Sequence, residues 1–406
     1  VFVLALTMTP ARAAVRLHGL FASNMVLQHG VPVTVWGYGA EGQVVTLRFK
    51  QQLLTTVVTN GNWSVRLAPM PASAMPATLS VTGTVAPRRG TTSGIGTTNG
   101  VRIVNVVVGE VWLCSGQSNM ERPVAEADNG PSVAAQSANP NLRFFTVARN
   151  RASAPTNDVV GLWQPATRDS TYAFSAVGYF FGRDLQAALN VPVGLICSAY
   201  SGSTIESWMN RAFLEGNPDY NRDIVAVYQK NYARYLRAKA AYDLDTAKRA
   251  AKGLPPAGPP PDPPWAPGEL YNGMIAPLLP FPFRGVAWYQ GEANASRAWQ
   301  YRTLLPDFIN LWRQTFASAQ QDPALALMPF CAVQIAPFKA IQDQPMESEL
   351  AELREAQVLA TQLPKVSLTI ITDCGDPLRI HPRRKEPVGA RLALAARGIA
   401  YNQPIQ

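Results

Sequence analysis

Ser118 sits in the turn Gly116-Gln117-Ser118-Asn119-Met120, directly after the apolar run 101–114 (VRIVNVVVGEVWLC). A serine presented where a strand gives way to a turn is placed as a nucleophile, with its own N–H and that of Asn119 available to an oxyanion. Three more polar turns follow apolar runs. Ser201-Gly202-Ser203 follows 191–197, and its glycine lets a backbone N–H come close to a reacting carbonyl. Gln290-Gly291-Glu292-Ala293-Asn294 follows 285–289 and brings two side-chain amides, Gln290 and Asn294. The segment Asp373 to Pro382 follows 366–372 and contains His381. The chain has only three histidines, and His18 and His29 lie far upstream. A serine hydroxyl needs a base to take its proton, and His381 is the one imidazole near such a strand end. Asp376 is the nearest carboxylate before it and a candidate to orient the ring, with Asp373 behind; a backbone carbonyl is the other option. Together these groups point to acyl transfer through a serine.

The elements that must bring these turns together follow from the hydrophobic pattern. Apolar runs at 101–114, 191–197, 285–289, 330–335 and 366–372 alternate with helical patterns at 177–189, 222–252, 301–317 and 347–362. Strands that are apolar throughout, alternating with helices, predict a parallel sheet covered on both faces. Ligands then bind outside the carboxyl ends of the strands, where all four turns fall. Residues 31–82 differ: short alternating runs separated by turn signals such as Asn60-Gly61 predict a small β-sandwich. The stretch 86–100 (APRRGTTSGIGTTNG) cannot build a core and reads as a hairpin tip or linker, and LPPAGPPPDPPWAP at 254–267 as an extended surface connection. The expected organisation is an export-signal remnant at 1–14, a β-sandwich at 15–100 and a catalytic α/β domain at 101–406.

Composition narrows the function classes. With 47% hydrophobic residues over 406, the chain is globular rather than disordered or fibrous. No apolar run approaches the roughly 18 residues of a membrane span. The net charge is +9, but the basic residues are dispersed, which argues against nucleic-acid binding. The apolar segment VFVLALTM followed by Ala11-Arg12-Ala13 reads as an export signal, placing the protein outside the cytoplasm, secreted or periplasmic. The four cysteines, Cys114, Cys197, Cys331 and Cys374, lie in or next to strand-like runs and are expected as buried free thiols; no Cys-x-x-Cys pair suggests zinc.

The segments GEVWLCSGQSNM, LYNGMIAPLLP, WYQGEANA, ELREAQ and IHPRRK resemble the sialate O-acetylesterase family of the SGNH (GDSL-like) hydrolases, and FASNMVLQHGVPVTVWG resembles the β-sandwich that precedes its catalytic domain. The resemblance runs from about Leu17 to Tyr401. It implies an SGNH-type three-layer α/β/α domain, with Ser118 as nucleophile, His381 as general base, and Gly202 with Gln290 or Asn294 at the oxyanion hole. It also implies a serine esterase acting on acetylated sugar, with no metal and no organic cofactor. Three departures stand out. The position three before the histidine is Leu378 and that two before is Arg379, where relatives carry an aspartate. The second block reads Ser201-Gly202-Ser203 instead of Gly-Gly-Thr, and longer relatives continue past Tyr401.

Arg354 and the run Arg379, Arg383, Arg384, Lys385 would attract a sialic acid carboxylate, or simply form a solvated basic helix start. Trp112, Trp208, Trp288, Tyr289 and Trp299 flank the motifs and either stack on a sugar or pack the core, the latter expected of Trp112 and Trp288. Two other readings are an acetyl-xylan or other plant-polysaccharide deacetylase and a non-catalytic carbohydrate-binding protein. The presence of both Ser118 and His381 argues against the last. The pattern leaves the oligomeric state open.

Overall fold

The computed structural model describes residues 14–85 and 97–405. The expected export segment, but for Ala14, and most of the low-complexity stretch 86–100 therefore lie outside the described residues. Two antiparallel sheets form the N-terminal part. One joins Arg16–Leu17, Val33–Tyr38 and Asn62–Leu67. The other joins Gln52–Val57, Val44–Phe49, Ser73–Val85 and the start of Thr97–Gly116. Alternation along these strands sends Val33, Val35, Trp63 and Leu67 from one sheet, and Val45, Leu47, Phe49, Leu79 and Val81 from the other, into one core. Asn60 and Gly61 both have positive φ (52° and 76°), as a two-residue hairpin turn requires.

The strand Thr97–Gly116 is 20 residues long and belongs to both halves. Its first part pairs antiparallel with Ser73–Val85. Its last part lies between Val193–Ala199 and Gly285–Tyr289, parallel to both. The full order is Trp163–Ala166, Asn139–Thr146, Val193–Ala199, Thr97–Gly116, Gly285–Tyr289, Phe330–Val333, Val366–Thr369, with only the first of these antiparallel to its neighbour. The two strands at the 139–166 edge go beyond what the apolar pattern predicted. Asn139–Thr146 holds a proline and a buried arginine, so it does not read as an apolar run; Arg143 is satisfied by the carbonyls of Asn24 and Asn105.

Successive residues of the central strands face opposite ways. Leu113, Ile196, Trp288 and Phe330 share a core with Leu304, Phe308 and Trp312 of the helix Ala298–Gln320. Cys114, Cys197, Ala287 and Cys331 share the other with Phe181 and Leu185 of Ala176–Leu189 and Leu392 of Glu386–Tyr401. This is the α/β/α arrangement with a helical layer on each face. All four cysteines are free and buried. The helix Ala226–Ala250 buries none of its residues. The proline-rich segment runs back along it, with Arg249 Nε donating to the Pro255 carbonyl and Tyr242 Oη to that of Gly258. Among the described residues no helix is long and apolar enough to cross a membrane.

Candidate active site

Parallel register fixes which turns meet. Gly116 pairs with Ala199 on one side and Tyr289 on the other, so the turns that begin after all three lie level at the sheet's carboxyl edge. A Cβ at Gly116 would stand 2.1 Å from the Tyr289 carbonyl oxygen, so only glycine fits this approach. Gln117 Oε1 then accepts from the N–H groups of Gly291 and Ala293, tying the Ser118 turn to the Gln290 turn. Ser118 opens the short helix Ser118–Glu121, and its N–H donates to no acceptor among the described residues.

Ser118 Oγ lies 2.8 Å from His381 Nε2. Asn119 brings the two together. Its Nδ2 donates to the Ile380 carbonyl (3.0 Å), next to His381, and to Glu292 Oε1 (2.6 Å), while Lys385 Nζ donates to its Oδ1. Both ionisable partners are deeply buried. Burial holds the Lys385 ammonium down to about 8 and pushes the Glu292 carboxyl up, each toward its neutral form.

The other ring nitrogen, Nδ1, meets Arg122 Nη2 at 3.3 Å, and Arg122 Nη1 is held by Glu126 at 2.7 Å. Asp376, the carboxylate expected there, is elsewhere. Its Oδ1 accepts from the Leu378 N–H two residues on, and its nearest cation is Arg379 at 3.9 Å. The rigid Asp376-Pro377 link and this local turn satisfy the carboxylate beside its own backbone. Asp373 is bound by Arg391 at 2.6 and 2.8 Å. Neither acid makes a hydrogen bond to the imidazole. A guanidinium donates only, so the neutral ring offers Nδ1 as acceptor and carries its hydrogen on Nε2. Partial burial, then the charges of Arg122 and Lys385, lower the His381 pKa from its ordinary value.

Glu121 shapes the second turn. Its Oε2 accepts from the Ser201 N–H and hydroxyl, and its Oε1 from Arg149. Gly202 follows with φ +75°, open space around its Cα, and an N–H that donates to no acceptor among the described residues. The left-handed residue of this turn is thus Gly202, and the serine before it needs no such freedom. In the third turn the two amides differ. Gln290 Nε2 spends its hydrogens on the Ser203 carbonyl and Asn294 Oδ1, and its Oε1 accepts from Tyr301, leaving nothing for a bound anion. Asn294 Nδ2 gives one hydrogen to Glu206 and has a second.

The matches to known proteins decide the family. Residues 108–241 match the family described as "Carbohydrate esterase, sialic acid-specific acetylesterase". A sialate O-acetylesterase from Rattus norvegicus is 31% identical over 401 residues, covering 91% of this chain and 70% of the relative. The chain belongs to the sialate O-acetylesterase family. The Homo sapiens member is 28% identical over 94% of this chain and 70% of its own length. A solved carbohydrate acetylesterase from Xanthomonas citri is 34% identical with a TM-score of 0.76, covering 96% of this chain and 76% of that one.

Within this sialate O-acetylesterase frame, Leu378, the departure noted three residues before His381, is 88% exposed. Arg354 lies half-buried on the helix Glu349–Leu359 and joins none of the ion pairs among the described residues; burial lowers its pKa. One helical turn on, Gln357 donates to the Gln290 carbonyl at 3.2 Å, which ties the helix carrying Arg354 to the third turn. Sequence reading missed Glu121, Arg122, Glu206 and Glu292 as parts of the site, and it read Lys385 only as a charge toward substrate, not as the donor to Asn119. Glu292 and Lys385 sit inside motifs that carry the resemblance, WYQGEANA and IHPRRK, and Glu121 and Arg122 directly follow GEVWLCSGQSNM, but nothing in their spacing signals a partner.

Proposed function

We propose that this chain is a serine esterase that removes O-acetyl groups from sialic acid or related sugars. The observation that carries the reading is the 2.8 Å contact between Ser118 Oγ and His381 Nε2 at the carboxyl edge of the sheet. Ser118 Oγ attacks the acetyl carbonyl carbon and its proton passes to Nε2. The oxyanion receives the N–H groups of Ser118 and Gly202 and the remaining Nδ2 hydrogen of Asn294, each such donor being worth about 2.7–4 kcal/mol. Gln290 holds Asn294 in place and does not itself touch the oxyanion. Collapse expels the sugar oxygen, which takes the proton from the imidazolium. Water then repeats the sequence on the acetyl-enzyme and releases acetate. Accepting a proton at Nε2 requires the tautomer with hydrogen on Nδ1, so Arg122 leaves Nδ1 for Glu126 or an anionic substrate group before chemistry begins.

Hydrolysis of p-nitrophenyl acetate tests the class, and a panel of O-acetylated sialic acids and acetylated xylan tests the acceptor. Ser118→Ala and His381→Ala should each lower kcat by at least ~10³-fold, since the two groups act as a unit. Near-normal turnover by Ser118→Ala would overturn the assignment.

A further inference from the structure

Of the five aromatic residues flanking the motifs, Trp112, Trp208, Trp288 and Tyr289 are fully buried, whereas Trp299 is 57% exposed. An indole left half in water on a regular helix is an unused apolar face, and it stands only five residues beyond Asn294. Beside it opens a cleft of about 330 Å³, a size suited to a small ligand, with Asn217, Asp223, Gln300, Thr303 and Asp307 among its walls. Asp223 also lines a second hollow of about 400 Å³ that begins at Thr204, two residues past Gly202, and passes Tyr228, Trp265 and Arg297. Asp223 lines both hollows, and their residues mark a path of surface from Thr204 to Trp299.

The charges along this path are acidic. Asp219, Asp223 and Asp307 face a single cation, Arg222, which is already paired with Asp219 (2.9 Å) and Asp223 (2.8 Å). Arg297, in the second hollow, is neutralised by Glu206. A sugar carboxylate entering here would meet uncompensated negative charge, while neutral hydroxyls can donate to these oxygens. On the His381 side Arg122, Arg383 and Arg384 are each paired with one carboxylate, Glu126, Asp128 and Asp373, so no excess of acid builds up there.

Resting on the esterase reading above, we propose that the cleft at Trp299 binds a neutral sugar residue of an oligosaccharide whose acetyl group is held at Ser118. The pyranose stacks its C–H face on the indole, and its hydroxyls donate to Asp223 and Asp307. The natural acceptor is then a neutral acetylated oligosaccharide in preference to a single acetylated sialic acid.

The experiment measures kcat and KM of the full chain on acetylated xylo-oligosaccharides, an O-acetylated sialic acid and p-nitrophenyl acetate. In Trp299→Ala the ratio of kcat/KM for the oligosaccharide to that for p-nitrophenyl acetate should fall about tenfold, through KM, and Trp299→Phe should restore much of it. Asp223→Asn should shift preference toward the sialic acid ester. An oligosaccharide KM untouched by Trp299→Ala, with p-nitrophenyl acetate still cleaved in a Ser118-dependent way, overturns the subsite alone. Loss of the Ser118 dependence overturns the esterase reading itself.

Discussion

At the residue scale, the meeting of Ser118 with His381 was legible because a serine after an apolar strand and an isolated histidine need few neighbours to be recognised. The orienting group was not. Counting back from His381 leads to Asp376, but whether a carboxylate reaches a ring depends on how the intervening loop turns, and this one folds Asp376 onto the Leu378 N–H. Asp376→Asn should therefore reduce kcat less than about tenfold, far short of the ~10⁴-fold seen when a triad aspartate is removed. Steady-state kinetics on p-nitrophenyl acetate decide it, and a loss near the larger figure would mean that the loop closes onto the ring in the working enzyme. The surroundings of His381 make a second expectation. Partial burial and the charges of Arg122 and Lys385 disfavour the imidazolium, so the acid limb of kcat/KM should lie below the ordinary histidine value. Removing the guanidinium in Arg122→Gln should move that limb to higher pH, and the glutamine oxygen can accept from Nδ1. A limb that stays put would show that Arg122 has already left the ring in solution.

At the scale of elements, alternation in 33–67 and the apolar parallel strands were readable because each obeys one period. The edge strand Asn139–Thr146 was hidden because its buried polar groups are satisfied by distant carbonyls that no local pattern reveals. The clamp around Asn119 was hidden for the same reason. It fastens three separate elements: the Ser118 helix, the turn carrying Glu292, and the His381 loop with Lys385 at the entry to Glu386–Tyr401. Lys385→Met strips the Asn119 side-chain carbonyl of its donor in a buried setting, at a cost of about 1–3 kcal/mol. Because Asn119 also holds the Ile380 carbonyl, kcat should fall at least ~10-fold while KM changes little. Thermal melts beside kinetics test this. A destabilised variant with unchanged kcat would make the clamp a matter of folding alone.

At the scale of the molecule, the antiparallel and α/β halves meet around the buried Glu110. Its carboxylate is held by Arg284 at 2.8 Å and by His29, with Gln28 at 3.1 Å. Burial alone would raise its pKa, but these hydrogen bonds outweigh it and hold the carboxyl down to about 2. The folded value lies below the unfolded one, so the stabilisation is full above about pH 4.5 and drains away as the pH falls toward 2. Melting temperature should drop over that window, and Glu110→Gln should start lower and decline less steeply through it; parallel curves for the two would remove Glu110 from the acid response. The 20-residue strand Thr97–Gly116 has a further consequence. A strand that serves two sheets has no seam, so neither half can be lifted out as a cassette. Cutting before residue 101 would strip the strand of its antiparallel partner and leave a raw edge ready to pair with another copy. Native-state hydrogen exchange should accordingly find Val106 and Leu113 opening together, in one cooperative event, although one is paired with the antiparallel strand Ser73–Val85 and the other with the parallel strands on either side. Mechanical load on the N-terminal sheet would then be felt, along a single taut backbone, at the serine itself.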